Sequence, residues 1–237
     1  MIITGDYHTH SRYSKYKHGK HTIEEMVEKA HDLGLKGYAV TDHGPKHALF
    51  GIRRKNIDVA KAEVKELRKK YDMNIYFGIE ANLLKEDGTI DLTQEEIDKL
   101  DLLIVGYHKG ALNDFVNLFR LMFNSKKQKE INTNAYVNAL NRYKIDIISH
   151  LNEYIKVDVY KVASVAKEKG TLIELNNKHI NFTAEEAKKL VDSGCKFILS
   201  SDAHKKDNIA RLDRVLEFVE KYKIPHERIV NLDKVYR

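Results

Sequence analysis

Seven times along the chain a short β-branched or apolar run gives way to a stretch of helical periodicity, a pattern few folds accept. The strand candidates are residues 2–8, 37–41, 75–80, 102–107, 146–149, 171–175 and 196–201. Helix candidates lie between them at 23–33, 58–71, 94–100, 115–123, 133–143, 159–169 and 184–193, with a last one at 209–222. Thr22 with Glu25 and Thr183 with Glu186 fit capping boxes, while Gly34, Gly170 and Gly194 fit helix C-termini. The Asp-Gly pair within residues 85–91 marks a small hairpin.

With no break in composition, this alternation predicts one closed or nearly closed parallel α/β barrel over residues 1–237. Seven units favour a (β/α)7 barrel over an eight-stranded barrel with one weak strand or an open doubly wound sheet. No G-x-G-x-x-G follows the first strand and no Walker loop occurs, which counts against the nucleotide-binding sheets. The lone cysteine, Cys195, excludes an intramolecular disulfide and points to a reducing cytoplasm. No apolar run is long enough to span a membrane, and the N-terminus has no signal-peptide pattern. A net charge of +6 favours anionic ligands without naming one.

A parallel barrel builds its active site at the C-terminal ends of its strands. The first end carries His8 and His10, which an extended strand would turn to one face. The second carries Asp42 and His43, the third Glu80, the fourth His108 and the fifth His150. The sixth carries Glu174, Asn176 and Asn177, and the seventh Asp202 and His204. With His18 added, seven of the twelve histidines fall in this set. One histidine after a strand is usually a loop residue; the same coincidence on strand after strand is a metal site. Imidazole and carboxylate without thiolate suit Zn, Mn or Fe. The donors outnumber what one ion can use, so two or three ions sharing a bridging carboxylate are expected.

Assembled in order, these stretches resemble the PHP (polymerase and histidinol phosphatase) family, closest to its small stand-alone YcdX-like phosphatases. The matching stretches are DYHTH, HGKHTIEE, VTDHGP, GIEAN, GYHKG, ISH, IELNN and SSDAH, from Asp6 to His204. The resemblance implies a distorted (β/α)7 barrel holding three divalent transition-metal ions. His8, His10, Glu80 and Asp202 would hold the first ion. Glu80 would bridge to a second, completed by His108 and His150, and His18, His43 and His204 would hold the third. A longer loop after His10 leaves a choice between His18 and His21, and the fifth strand reads SHL where the family often has SHP. Amidohydrolases, the rival barrel family opening with H-x-H, would show a bridging lysine on a middle strand and a lone aspartate on the last. Glu80, His108 and the Asp-Ala-His of the last strand favour PHP.

The expected activity is metal-dependent hydrolysis of a small phosphate monoester by a metal-bridging hydroxide, with Glu80, Asp202 and His204 as catalytic residues. Histidinol phosphate phosphatase is one specific form. A nuclease or nucleotide phosphodiesterase is the alternative; the basic clusters motivate it, and the lack of an aromatic-interleaved basic stripe counts against it. A metal-stabilised accessory module is a third reading, disfavoured by the absence of an attached polymerase. Arg12, Lys109 and His179 are candidate substrate contacts. Asp6 and Asp42 read equally as orienting partners of ligating imidazoles or as turn residues. Residues 110–132, with Phe115, Leu118, Phe119 and Met122 at apolar spacing, read as a lid or as an ordinary barrel helix.

Overall fold

A computed structural model describes residues 3–111 and 126–233. Its strands are β1 (Gly5–Asp6), β2 (Gly37–His43), β3 (Asn74–Asn82), β4 (Leu102–Gly106), β5 (Ile147–Ile148), β6 (Leu172–Asn176) and β7 (Phe197–Ser200). They form one sheet in chain order with every neighbouring pair parallel. Helices α1 (Ile23–Asp32), α2 (Ile57–Lys70), α3 (Gln94–Ile97), α4 (Lys126–Arg142), α5 (Val159–Lys169) and α6 (Ala184–Ser193) carry the chain between strands, and α7 (Asp213–Lys221) follows β7. A parallel bridge between Thr9 and Ala203 brings the last strand back to the first. The fold is the nearly closed (β/α)7 barrel that the alternation predicts, distorted as the family resemblance implies.

The strands are buried on both faces, as parallel strands covered by helices must be. Ile104, Ile147 and Ile198 form a small cluster of their own, packed by Tyr7, Leu102 and Leu172. Ile104 is the register partner of Glu80 and Ile198 of Glu174, so this cluster shares their face and floors the site above it.

Side chains, not a ladder, stitch β1 to β7. Asn231 accepts the Leu199 N–H at 3.0 Å and donates to the carbonyls of Gly5 and Leu199, both at 2.8 Å. Asp6 accepts the Ser201 hydroxyl at 2.5 Å and the Ser201 and Ala210 N–H groups at 3.2 and 2.9 Å.

All three foreseen helix C-termini hold, each with glycine in the left-handed region, and both foreseen capping boxes form. A third box, Thr93 with Glu96, starts α3. The hairpin exists: Leu83 bridges Ile90 and Gly88 has φ 84°. Other boundaries move. Strand β1 stops at Asp6, and at Thr9 the backbone N–H goes to the Thr41 hydroxyl while its carbonyl accepts the Thr41 N–H. The last helix starts at Asp213, since Ala210 has φ 59°, outside helical space. Helix α4 reaches back to Lys126, ahead of the expected 133. The segment expected at 115–123, as lid or helix, lies outside the described residues.

Candidate metal centre

Glu80, near the end of β3, sits at the centre of the strand-end histidines and is fully buried. Its two oxygens face different groups. Oε1 is 2.8 Å from His150 Nε2, 3.1 Å from His108 Nε2 and 2.8 Å from the Ser149 hydroxyl that donates to it. Oε2 is 2.9 Å from His43 Nδ1, 3.3 Å from His8 Nε2 and 3.7 Å from His10 Nε2. Asp202 completes the His8–His10 side, with Oδ1 3.3 Å from His10 Nε2.

Many of these atoms converge without bonding. Glu80 Oε2, Asp202 Oδ1, His204 Nε2 and both ring nitrogens of His43 and His108 are buried with no hydrogen bond. Such orphans are costly in a dry interior, and a cation is what their shared focus fits. Three groups of candidate ligand atoms each lie within 4.8 Å of one another: His8, His10 and Asp202; His43, Glu80 and His108; His10, His43 and His204.

Charge balance points the same way. Glu80, Glu174 and Asp202 are all buried, and no lysine or arginine is buried among the described residues. Burial opposes the charge on Glu80, yet His108 and His8 beside it hold its carboxyl well below the usual range. Burial drives His10 and His43 well below the ordinary imidazole range, leaving them neutral with lone pairs to donate. For His8, burial works against the proton, but Glu80 and Glu174 override it and raise the imidazole well above its usual value. A positive charge belongs there, as a proton or as an ion.

The orienting partner of His8 is Glu174, whose Oε1 is 2.7 Å from His8 Nδ1 while Oε2 accepts the His150 N–H at 2.8 Å. Asp6 and Asp42 do not fill that role. Asp6 belongs to the β1–β7 seam, and Asp42 accepts the backbone and hydroxyl donors of Ser11 and Ser14, so both are turn and seam residues. His150 and Asp202 occupy the left-handed region at φ 27° and 54°, a strain that concentrates at functional sites.

His18 stacks on Phe50 with ring centroids 3.7 Å apart and meets His204 edge-on at 4.1 Å. His21 lies elsewhere, its Nδ1 accepting the Lys206 N–H at 3.4 Å. A cavity of 160 Å³ opens above the cluster, between Phe50 and Tyr154, with His179 and Lys178 on its wall. Of the foreseen substrate contacts, His179 lines this cavity; Lys109 lies over the Tyr154 ring at 5.3 Å, and Arg12 faces a separate groove with Tyr13, Lys15 and Arg53. Lys178, in the Asn-Asn-Lys-His stretch, was not foreseen; its neighbour His179 carried the only signal.

Residues 6–200 match the PHP domain, and the chain belongs to the PHP-domain family. It is 30% identical to a probable phosphatase of Acetivibrio thermocellus, over 98% of this chain and 92% of that protein. A probable phosphatase of Proteus mirabilis is 28% identical, over 95% and 89%. In fold it is similar to the histidinol phosphate phosphatase of Lactococcus lactis, solved with zinc, L-histidinol and phosphate, at a TM-score of 0.63 and 15% identity over 94% of each chain. A Listeria monocytogenes protein described as a histidinol phosphatase gives a TM-score of 0.60 at 16% identity, over 87% of this chain and 97% of that one. No helix among the described residues is long and apolar enough to cross a membrane.

Proposed function

We propose that the chain is a metal-dependent phosphatase acting on a small phosphate monoester, with three divalent ions held at the strand ends. The observation that carries this reading is the split of Glu80, one oxygen toward His108 and His150 and the other toward His8, His10 and His43. A carboxylate so placed is the bridge a multinuclear centre needs. His8, His10, Glu80 and Asp202 would hold one ion, Glu80, His108 and His150 a second, and His18, His43 and His204 a third. His43 lies close to both Glu80 and His10, so it also suits a shared position. The names of the curated relatives and the zinc and phosphate of the Lactococcus structure support the same reading.

Bound ions would supply Lewis-acid stabilisation of phosphoryl oxygens and lower the pKa of water. The protein's own part is to keep His10 and His43 neutral by burial, to fix the His8 ring through Glu174, and to wall the cavity with Phe50 and Tyr154. Histidinol phosphate is one candidate substrate among small monoesters.

Metal-stripped protein reloaded with Zn²⁺, Mn²⁺ or Fe²⁺ should bind about two to three ions per chain by elemental analysis and hydrolyse monoesters in preference to diesters. Uptake of less than about one ion would sink the multinuclear site, and a diester preference would favour the nuclease reading. Glu80→Gln should abolish turnover and lower the ion count with the circular dichroism spectrum unchanged.

A further inference from the structure

The loop between β6 and α6 is pinned from both sides. Asn176 Oδ1 accepts the N–H groups of Lys178 and His179 at 2.9 and 3.0 Å, and Arg214 from α7 donates to the Lys178 carbonyl at 2.9 Å. From this fixed backbone the half-exposed Lys178 side chain leans over the cluster. Its Nζ is 3.4 Å from His204 Nδ1 and 3.8 Å from Asp202 Oδ1.

Neither atom satisfies it. His204 Nδ1 lies 2.8 Å from the Asp202 carbonyl and donates to it, which leaves the lone pair on Nε2, buried and facing His10 and His43. A ring nitrogen that carries a proton cannot accept from an ammonium. Asp202 Oδ1, at 3.8 Å, is beyond hydrogen-bond reach. Among the described residues, Lys178 is also the only lysine or arginine with its charged end within 4.0 Å of a carboxylate of the cluster. An ammonium with three donors to spare, held over a cavity floored by candidate metal ligands, is built for an anion arriving between them.

We propose that Lys178 is the phosphate-binding residue of this site, its Nζ donating to a non-reacting phosphoryl oxygen of the substrate. This deepens the phosphatase reading and rests on it. A charge-assisted hydrogen bond to phosphate is short and strong, and a lysine supplies it as a point charge.

The test uses the metal-loaded protein with Lys178→Met and Lys178→Arg. Inorganic phosphate is titrated by calorimetry and used as a competitive inhibitor of monoester hydrolysis, with elemental analysis alongside. Lys178→Met should bind phosphate about 10- to 100-fold more weakly, the loss expected for one charge-assisted hydrogen bond. Its KM should rise in step, kcat should fall less, the ion count should hold, and Lys178→Arg should recover most of the affinity. Unchanged phosphate affinity in Lys178→Met would overturn the assignment, and so would loss of ions, which would make Lys178 a support of the metal site. If the parent hydrolyses no monoester but binds phosphate in a Lys178-dependent way, the anion site stands and the phosphatase reading falls. Absence of phosphate binding by the metal-loaded parent would remove both.

Discussion

His8 is held by two carboxylates acting on opposite ring nitrogens, Glu174 at Nδ1 and Glu80 at Nε2. The Glu174 contact fixes which nitrogen carries the proton and leaves the other to face the cluster. Glu174→Gln, close in volume, should therefore weaken metal binding or turnover by about 10- to 100-fold without unfolding the protein, checked by metal titration and circular dichroism. In the sequence, Glu174 reads as one more polar strand end, while Asp6 and Asp42 stand beside the histidines and invite pairing with them. The true partner lies 166 positions away, and chain proximity carries no information about contacts across a barrel. The choice between His18 and His21 was open for a similar reason, since both sit in one loop. Phe50 now stacks His18 against the cluster, while His21 accepts from Lys206. His18→Ala should lose one ion and most activity, and His21→Ala should be milder. Anomalous scattering from crystals of the two variants, read with their kinetics, decides it; full occupancy in His18→Ala with an ion missing in His21→Ala would reverse the assignment.

Helix ends were legible where a local cap marks them, as at Thr22 and Thr183, and not at the starts of α4 and α7. Thr22, Thr93 and Thr183 each lie three residues before a glutamate, and all three pairs close reciprocally. At α6 the cap does a second job: Glu186 Oε2 accepts the Thr183 N–H at 2.9 Å, and Oε1 accepts the Asn152 side chain at 3.0 Å. Asn152, at φ 71°, anchors the turn after His150. Thr183→Ala should cost about 1 kcal/mol, the usual worth of an N-cap. Glu186→Ala should cost more, because it frees the His150 turn as well as the helix start. Urea unfolding of both variants checks the order, and equal costs would show that the Asn152 contact carries no stability. Strand ends were less legible. Hydrophobic runs mark where a strand can lie, but not its length: β1 and β5 are two residues each.

At the scale of the whole molecule, the strand count was readable and the closure was not. Seven runs give seven strands, but nothing in the stretch around Asn231 marks it as the side chain that joins Gly5 to Leu199. Asn231→Ala would leave buried backbone groups of both strands without partners, at a cost of at least about 2 kcal/mol. For a chain of this size that is a fall of several degrees in Tm, on the order of 2–4 °C per kcal/mol, readable by calorimetry. An unshifted Tm would show that the gap tolerates water in place of the amide. The same stitch spans 226 positions, so a nascent chain waits on the order of tens of seconds between making Gly5 and making its partner. Through that interval His8 and His10 hang on an open edge, and for most of it Glu174 and Asp202 do not yet exist. A half-made chain has Glu80 and several of the histidines, but on a sheet that is still open. Arrival of the last strand closes the barrel and brings the candidate ligands together, so in the proposed centre chain completion would set the earliest moment of loading.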